Sequence, residues 1–548
     1  MQDDVIAFLK SPSGHPGGGP VEMVQTHGAM IFLAGDVALK MKRAVRYDYM
    51  DLSTLDLRET MLRRELELNK PVAPKIYYDV VPVTRALDGA LELDGKGEPV
   101  EWVLRMWRFP AKDELAVIAD AGGIDDDLAQ NLGTSIFSYH AQTPKRSGDG
   151  AKLIHDILDE LDRVFVNMKE PLGATNIDEF HRKSRAMLKR VAPLLRHRAD
   201  TGHVRRCHGD LHLRNIVLLD GKPVPFDALE FDEVLGTCDV LYDLAFLIMD
   251  LHHRDLGRAA NVVLNAYLLC AHNSEDDGLA AFPLFLAVRA AIRAMVLVQT
   301  ASATGTVVSH EAAQFLNVAL TSLQPAAPIL VLVGGMSGTG KTAVSRALAP
   351  LIGGSPGAVH LRTDLERKAT QGKDINPDLS SVEYSTASRN AIYKRMFARA
   401  EHILSSGQSV LLDATFLDAT MRAIAQEIAI KVDVVCHALW LVAPLPVLID
   451  RVVGREGDAS DADEQVVRQQ SKNCHPPSDW KEISAVGTLD ETIKCAQAFL
   501  HKSQAATCGV CQTSCPVNSC SVSNFRVAYF VLWVKPYWSS RLPIPGFS

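Results

Sequence analysis

The sequence predicts an α/β multidomain chain, and three observations carry that expectation. Its length, 548 residues, corresponds to roughly three or four compact units at ~100–200 residues each. The apolar patterning changes along the chain: strand-like to about residue 110, mostly helical to about 320, then strands alternating with helices. A glycine-rich loop stands between an apolar strand and a helical run after residue 328. With 47% hydrophobic and 22% charged residues, the composition is that of a globular chain and argues against disorder, collagen or coiled coil as the main architecture. The formal charge of −8 (57 basic against 65 acidic residues) leaves no electrostatic footprint for nucleic acid, although it permits a local basic groove.

The opening MQDDVIAFLK carries two acids and lacks the layout of a secretory signal. Residues 11–20, SPSGHPGGGP, cannot hold a helix or strand, so 1–24 is expected to be a flexible leader. Met30 to Leu33, a turn at Ala34-Gly35-Asp36, and Val37 to Met41 predict a hairpin. Asp56 to Lys70 has helical spacing, with Leu62, Leu66 and Asn69 on one face and Glu65 beside them. Ile76 to Val83, Leu91 to Leu93 and Glu101 to Arg108 read as further strands. The first lobe therefore spans 25–110, a small sheet carrying one helix. Residues 111–323 form a mostly helical lobe with a short β segment at 204–227.

The informative stretch of that lobe is Cys207-His208-Gly209-Asp210-Leu211-His212-Leu213-Arg214-Asn215. Asp210 and Asn215 stand five apart, the spacing of base and metal ligand in a kinase catalytic loop. A carboxylate must orient and deprotonate the attacking hydroxyl, and an amide oxygen must hold Mg²⁺ near the same phosphates. Ile216 to Leu219 and Val224 to Phe226 flank Asp220-Gly221, a strong hairpin turn. Such a hairpin brings Asp227 back beside Asn215, so two hard oxygen donors meet on one ion. Upstream, Lys40 in Val37-Ala38-Leu39-Lys40-Met41 suits a phosphate-gripping lysine, with Glu65 as its partner. Lys42, on the same strand face, is a rival.

These residues resemble the aminoglycoside phosphotransferase and choline kinase superfamily over roughly 25–320. The match consists of Lys40, Glu65, HGDLHLRN, Asp227, and Asp239 with Asp243 in CDVLYDLAF. The resemblance implies a protein-kinase-like two-lobed (α+β) fold, in which the last aspartate supports the catalytic loop. One departure is the absence of G-x-G-x-x-G over the phosphates; the region offers Thr26-His27-Gly28. Glu230, Asp232 and Glu233 either favour a cationic acceptor or form a solvated acidic loop.

Past a linker at Gln324-Pro-Ala-Ala-Pro328, residues 328–502 carry a second motif. Gly335-Met336-Ser337-Gly338-Thr339-Gly340-Lys341-Thr342 satisfies G-x-x-x-x-G-K-[ST] between ILVLVG and AVSRALAPLI. Successive backbone N–H groups can cradle phosphates there, Lys341 can reach the β and γ phosphates, and Thr342 can hold Mg²⁺. A P-loop NTPase domain with a parallel sheet is the expected fold. Arg362 and Asp364 end a predicted strand, where ligands of open α/β sheets sit, and Asp364 is a candidate base. Asp413 ends another strand, as a metal-side acid or a helix N-cap, with Arg422 on the helix beyond. Arg451 and Arg455 lie four apart on one helix face, either as a lid over the phosphoryl group or as a solvated face. These features resemble small-acceptor P-loop kinases of the zeta-toxin, polynucleotide-kinase, gluconate-kinase and chloramphenicol-phosphotransferase type. The order of the two halves resembles a bacterial group of fused predicted kinases.

Residues 503–548 change character. Cys508, Cys511, Cys515 and Cys520 supply four thiols, either as ligands for Zn²⁺ or an iron–sulfur cluster or as part of a poorly ordered, aberrant extension. The other cysteines are scattered, as expected for a reducing cytoplasm. No apolar run is read as reaching the ~18–20 residues of a membrane span. The expected function is ATP- and Mg²⁺-dependent transfer of a phosphoryl group to small-molecule hydroxyls at two sites. A nucleotide-gated regulatory ATPase and a nucleic-acid end kinase are the alternatives.

Overall fold

The computed structural model describes residues 2–26, 28–47, 50–324, 326–370, 386–454 and 463–507. The Cys508, Cys511, Cys515 and Cys520 cluster lies outside the described residues. The described residues divide into two compact units: those up to Val263 with Ala281–Gln324, and Leu264–Ala280 with the described residues between 326 and 507. The stretch Leu264–Ala280 falls in the range expected for the helical lobe, yet it belongs to the second unit.

The first unit opens on a six-stranded antiparallel sheet, in the order Glu22–Gln25, Ala29–Ala34, Val37–Lys42, Glu98–Trp107, Tyr77–Arg85 and Leu91–Leu93. The expected hairpin forms, with Ala34 opposite Val37 and Ile31 opposite Lys40. The expected helix forms as Leu55–Asn69, started by Thr54, whose hydroxyl accepts from the Leu57 N–H.

The leader expectation for 1–24 is overturned. Gln2–Lys10 is a helix and Glu22–Gln25 is an edge strand. Val5 and Leu9, four apart on one helix face, are buried with Phe32, Leu39, Val83 and Val103. The loop that follows is irregular but anchored, since His15 Nε2 lies 3.0 Å from the Phe32 carbonyl. The acids at the start and the Gly/Pro/Ser-rich run after it mask the apolar face formed by Val5 and Leu9.

The helical lobe carries the predicted hairpin at Ile216–Leu219 and Lys222–Pro225. Asp220 and Gly221 both have positive φ, as a two-residue primed turn demands. One helix, Phe282–Thr304, is long and apolar enough to cross a membrane, contrary to the reading that no run qualifies. Its apolar window is 78% buried, so here it serves as a core helix of the lobe.

The second unit is built on a five-stranded, wholly parallel sheet. The strand order is Val359–Arg362, Val410–Asp413, Ile329–Gly335, Val435–Val442 and Lys481–Ser484. The first three strands inward from Val359 end at one level: Arg362 pairs with Asp413, and Asp413 with Val333. This register gathers the glycine-rich loop, Asp413 and Arg362 at the carboxyl ends of adjacent strands.

Candidate active sites

In the first unit, Lys40 Nζ lies 2.5 Å from Glu65 Oε1 and 2.8 Å from Asp227 Oδ1. Lys42 is drawn elsewhere: its Nζ lies 2.7 Å from Glu65 Oε2 and 2.7 Å from Glu230 Oε1. Glu65, fully buried, is thus shared by two lysines, and only Lys40 reaches Asp227. Of the two candidates, Lys40 is thus the one beside Asp227. Burial opposes the charge on Lys40, but Asp227, Glu65 and Glu230 outweigh it and hold its pKa well above the ordinary value.

The loop from His208 to Asn215 closes on itself. The Asn215 amide nitrogen donates to the Asp210 carbonyl (2.9 Å) and to Asp210 Oδ2 (3.1 Å). With the nitrogen so committed, the oxygen is the atom of that amide available to a cation. Asp227 sits at φ +59°, and its N–H donates to the Tyr77 hydroxyl at 2.9 Å. The Phe226 N–H donates to the Asn215 carbonyl at 2.9 Å, so the hairpin return places Asp227 next to Asn215 as expected. Asn69, one turn after Glu65, accepts from the Ala228 N–H at 2.8 Å. The helix thereby registers Asp227 against Lys40.

Asp243 holds the loop from behind. Its carboxylate accepts from the His208 N–H (3.0 Å) and the Gly209 N–H (2.9 Å), and lies 3.2 Å from His140 Nε2. Burial works against the anion, but His140, Arg289 and His208 keep its pKa below the ordinary carboxylate value. Asp239 is a support of another kind, paired with Arg198 through two bonds of 2.7 and 2.9 Å. A cavity of ≈ 250 Å³ adjoins the loop, with Asp210, Tyr242, Phe246, Arg289 and Arg293 in its wall.

Of the acidic run, Glu230 departs from the solvated-loop reading, while Glu233 is exposed on the loop. Glu230 is buried against Lys42. Asp232 caps a turn by accepting from the Val234 and Leu235 N–H groups. Glu233 is bound by Arg64, Arg146 and Arg206. Arg289 was missed: it donates to the Gly209 carbonyl at 3.1 Å and lies over the Tyr242 ring at 3.9 Å. Its signal is a cation directly after the apolar run FPLFLAV, in a helix that is otherwise mostly apolar. Of Thr26-His27-Gly28, His27 lies outside the described residues.

In the second unit, the loop Gly335-Met336-Ser337-Gly338-Thr339-Gly340 leads directly into the helix Lys341–Leu348. Gly338 is required there: φ is +85°, and a Cβ would stand 2.6 Å from the Leu448 carbonyl oxygen. Thr339 Oγ1 donates to the Met336 carbonyl at 2.8 Å, and Lys341 Nζ donates to the same carbonyl at 2.9 Å. Thr342 Oγ1 donates to Asp413 Oδ2 at 2.7 Å. Asp413 is therefore adjacent to the P-loop hydroxyl and is not the N-cap of the next helix, which is Asp418. Burial opposes its charge, but His360, Arg362 and Lys341 hold its pKa down to about 2. Asp364 differs: burial raises its pKa, against the pull of Arg367 and Arg362. Two carboxylates just past the ends of neighbouring strands thus have their pKa values pushed in opposite directions.

Arg422 fastens the loop after Asp413, donating to the Phe416 carbonyl at 2.7 Å. Arg451 is exposed on the helix Leu445–Val453, and among the described residues no hydrogen bond or ion pair joins it to the P-loop. Arg455 lies outside the described residues. Gln470 was missed: its Oε1 accepts from the Ser337 N–H at 2.9 Å. Nothing in its local sequence marks it, because the contact spans 133 residues.

The family described as an AAA domain matches residues 330–477. The Mycobacterium tuberculosis protein named Uncharacterized protein Rv2004c is 31% identical over 466 residues, spanning 81% of this chain and 88% of that one. The chain belongs to the family of that mycobacterial protein. Its match is long enough to take in both units. Among solved structures, a choline/ethanolamine kinase family protein from Mesorhizobium loti is 16% identical, covering 59% of this chain and 99% of its own, with a TM-score of 0.35. A gluconokinase from Sinorhizobium meliloti 1021 is 18% identical, covering 33% and 98%, with a TM-score of 0.24.

Proposed function

We propose that the chain is an ATP- and Mg²⁺-dependent phosphotransferase with two nucleotide sites, each passing the γ-phosphoryl group to a hydroxyl of a small molecule. One observation carries the reading. Each unit sets a lysine, a pair of oxygen donors and a further carboxylate at one place: Lys40, Asn215, Asp227 and Asp210 in the first, and Lys341, Thr342, Asp413 and Asp364 in the second. Asn215 with Asp227, and Thr342 with Asp413, are hard oxygen donors and fit Mg²⁺. The bound ion and ATP supply charge neutralisation and the transferable phosphoryl group.

The protein's own part is positioning and proton handling. Lys40, fixed by buried Glu65, presents its ammonium to phosphate oxygens. Asp210, held by Asn215 and by a loop that Asp243 fastens, orients an acceptor hydroxyl and takes its proton. Arg289 and Asp243 keep that loop from shifting. The adjoining cavity, at ≈ 250 Å³, lies below the ~300–1,000 Å³ of drug-sized sites and suits a small acceptor. In the second site the P-loop N–H groups and Lys341 bind phosphates. Asp364, with its raised pKa, takes the acceptor proton. The mild net charge of −8 gives nothing to attract a nucleic-acid strand.

The test is Mg²⁺-dependent ATP turnover against a panel of small alcohols and sugars. Wild type is compared with Asp210→Ala, Lys341→Ala and the double variant. Each single substitution is expected to abolish a different part of the acceptor spectrum, and the double variant to abolish turnover. Unchanged turnover in both single variants would refute the two-site reading.

A further inference from the structure

Leu264–Ala280 lies, in sequence, within the half that carries the first motif, yet folds as part of the second unit. Its contacts there are specific. Among the described residues, the strand Val359–Arg362 is at the edge of the parallel sheet, paired with Val410–Asp413. On the other side, Asn265 takes the place of a neighbouring strand. Its Oδ1 accepts from the His360 N–H at 2.7 Å, and its Nδ2 donates to the Ala358 carbonyl at 3.3 Å. One carboxamide thus satisfies a donor and an acceptor on an exposed strand edge. Two residues beyond His360 the strand ends at Arg362, and Asp364 follows on the helix Thr363–Thr370.

A second tie acts on that helix. Asp276 is buried and receives a two-pronged contact from Arg399: Nε to Oδ2 at 2.7 Å and Nη2 to Oδ1 at 3.0 Å. The remaining Arg399 nitrogen donates to Glu366 Oε1 at 2.7 Å. Glu366 is two residues from Asp364. A planar guanidinium gripped on one side by Asp276 fixes the direction of its other prong, and so the position of Glu366. Leu268 adds its carbonyl to Arg399 Nη2 at 3.3 Å. The inserted stretch therefore holds both the strand before Asp364 and the helix that carries it.

We propose that Asn265 and Asp276 are positioning residues of the second active site, setting Asp364 against the P-loop from a stretch of sequence that precedes the P-loop by about sixty residues. The proposal rests on the reading of the second site as a phosphotransfer site with Asp364 as base. Neither residue touches the P-loop, so their effect falls on the chemical step and not on nucleotide binding.

The experiment uses the full chain in an Asp210→Asn background, so that turnover reports the second site. Single-turnover ATP hydrolysis with Mg²⁺ and water as acceptor is measured together with ATP affinity and thermal midpoint. Asn265→Ala is expected to lower kcat by about 10- to 100-fold, the scale of an ångström of misplacement, with ATP affinity within about twofold. Asn265→Asp, which keeps the acceptor for the His360 N–H, should recover part of that loss. Asp276→Asn should act in the same direction. Unchanged kcat in Asn265→Ala and Asp276→Asn overturns the proposal. So does a fall in kcat matched by equal losses in ATP affinity and thermal midpoint, which would mark a merely structural role. Lys341→Ala in the same background separates the two levels: if it leaves turnover intact, the second-site reading itself fails.

Discussion

Lys40 and Lys42 sit two apart on one strand, share Glu65, and should nonetheless respond differently to substitution. Lys40 stands between Glu65 and Asp227, where the proposed function puts the phosphates. Lys40→Met is expected to weaken ATP affinity at the first site at least tenfold. Lys42 is enclosed by Glu65 and Glu230, so Lys42→Met leaves two buried carboxylates sharing one cation. It should cost about 3–5 kcal/mol of stability, the scale for breaking a buried ion pair, measured by urea unfolding. The reverse pattern would exchange their roles. Asp413 gives a pH signature. Its pKa falls from 3.8 to about 2 on folding, so its stabilisation is complete above about pH 4 and is lost as pH falls through 2. That drop is worth about 2 kcal/mol. Asp364, raised on folding, has the opposite sign and costs stability as pH rises past its unfolded value. Asp413→Asn should flatten the acid limb of the second unit's unfolding curve; Asp364→Asn should remove the opposing cost.

At the scale of elements, the catalytic loop is a suspended structure. His208 and Gly209 donate to Asp243, and the Gly209 carbonyl accepts from Arg289. Asp243→Asn removes one acceptor oxygen and leaves a buried N–H unpaired, at about 1–3 kcal/mol. It should also lower first-site kcat by more than it changes ATP affinity, in a steady-state comparison. Elements whose chemistry is local were legible in the sequence. HGDLHLRN, the Asp220-Gly221 turn and the P-loop each declare their backbone geometry within a few residues. Helix Gln2–Lys10 was not legible: two buried residues, Val5 and Leu9, were outweighed by acids and by the glycine-rich run after it. Glu230 looked solvated because its basic partner, Lys42, is distant in sequence.

For the whole molecule, sequence separation marks what pattern reading could not reach. Asn265 meets His360 across 95 residues, and Asp276 meets Arg399 across 123. No periodicity or motif encodes such pairs, so the boundary of the second unit was drawn too simply at residue 328. Two sheets with separate cores predict two unfolding steps in calorimetry, each stabilised when its own site is filled. Lys341→Ala should abolish the Mg²⁺–nucleotide shift of one step and leave the other. The most direct test of the two-site account is the binding stoichiometry of a non-hydrolysable ATP analogue with Mg²⁺, by titration calorimetry of the full chain. The account predicts two equivalents, reduced to one by Lys40→Met or by Lys341→Ala and to none by both together. One equivalent in the wild-type chain, lost on either substitution alone, would contradict it.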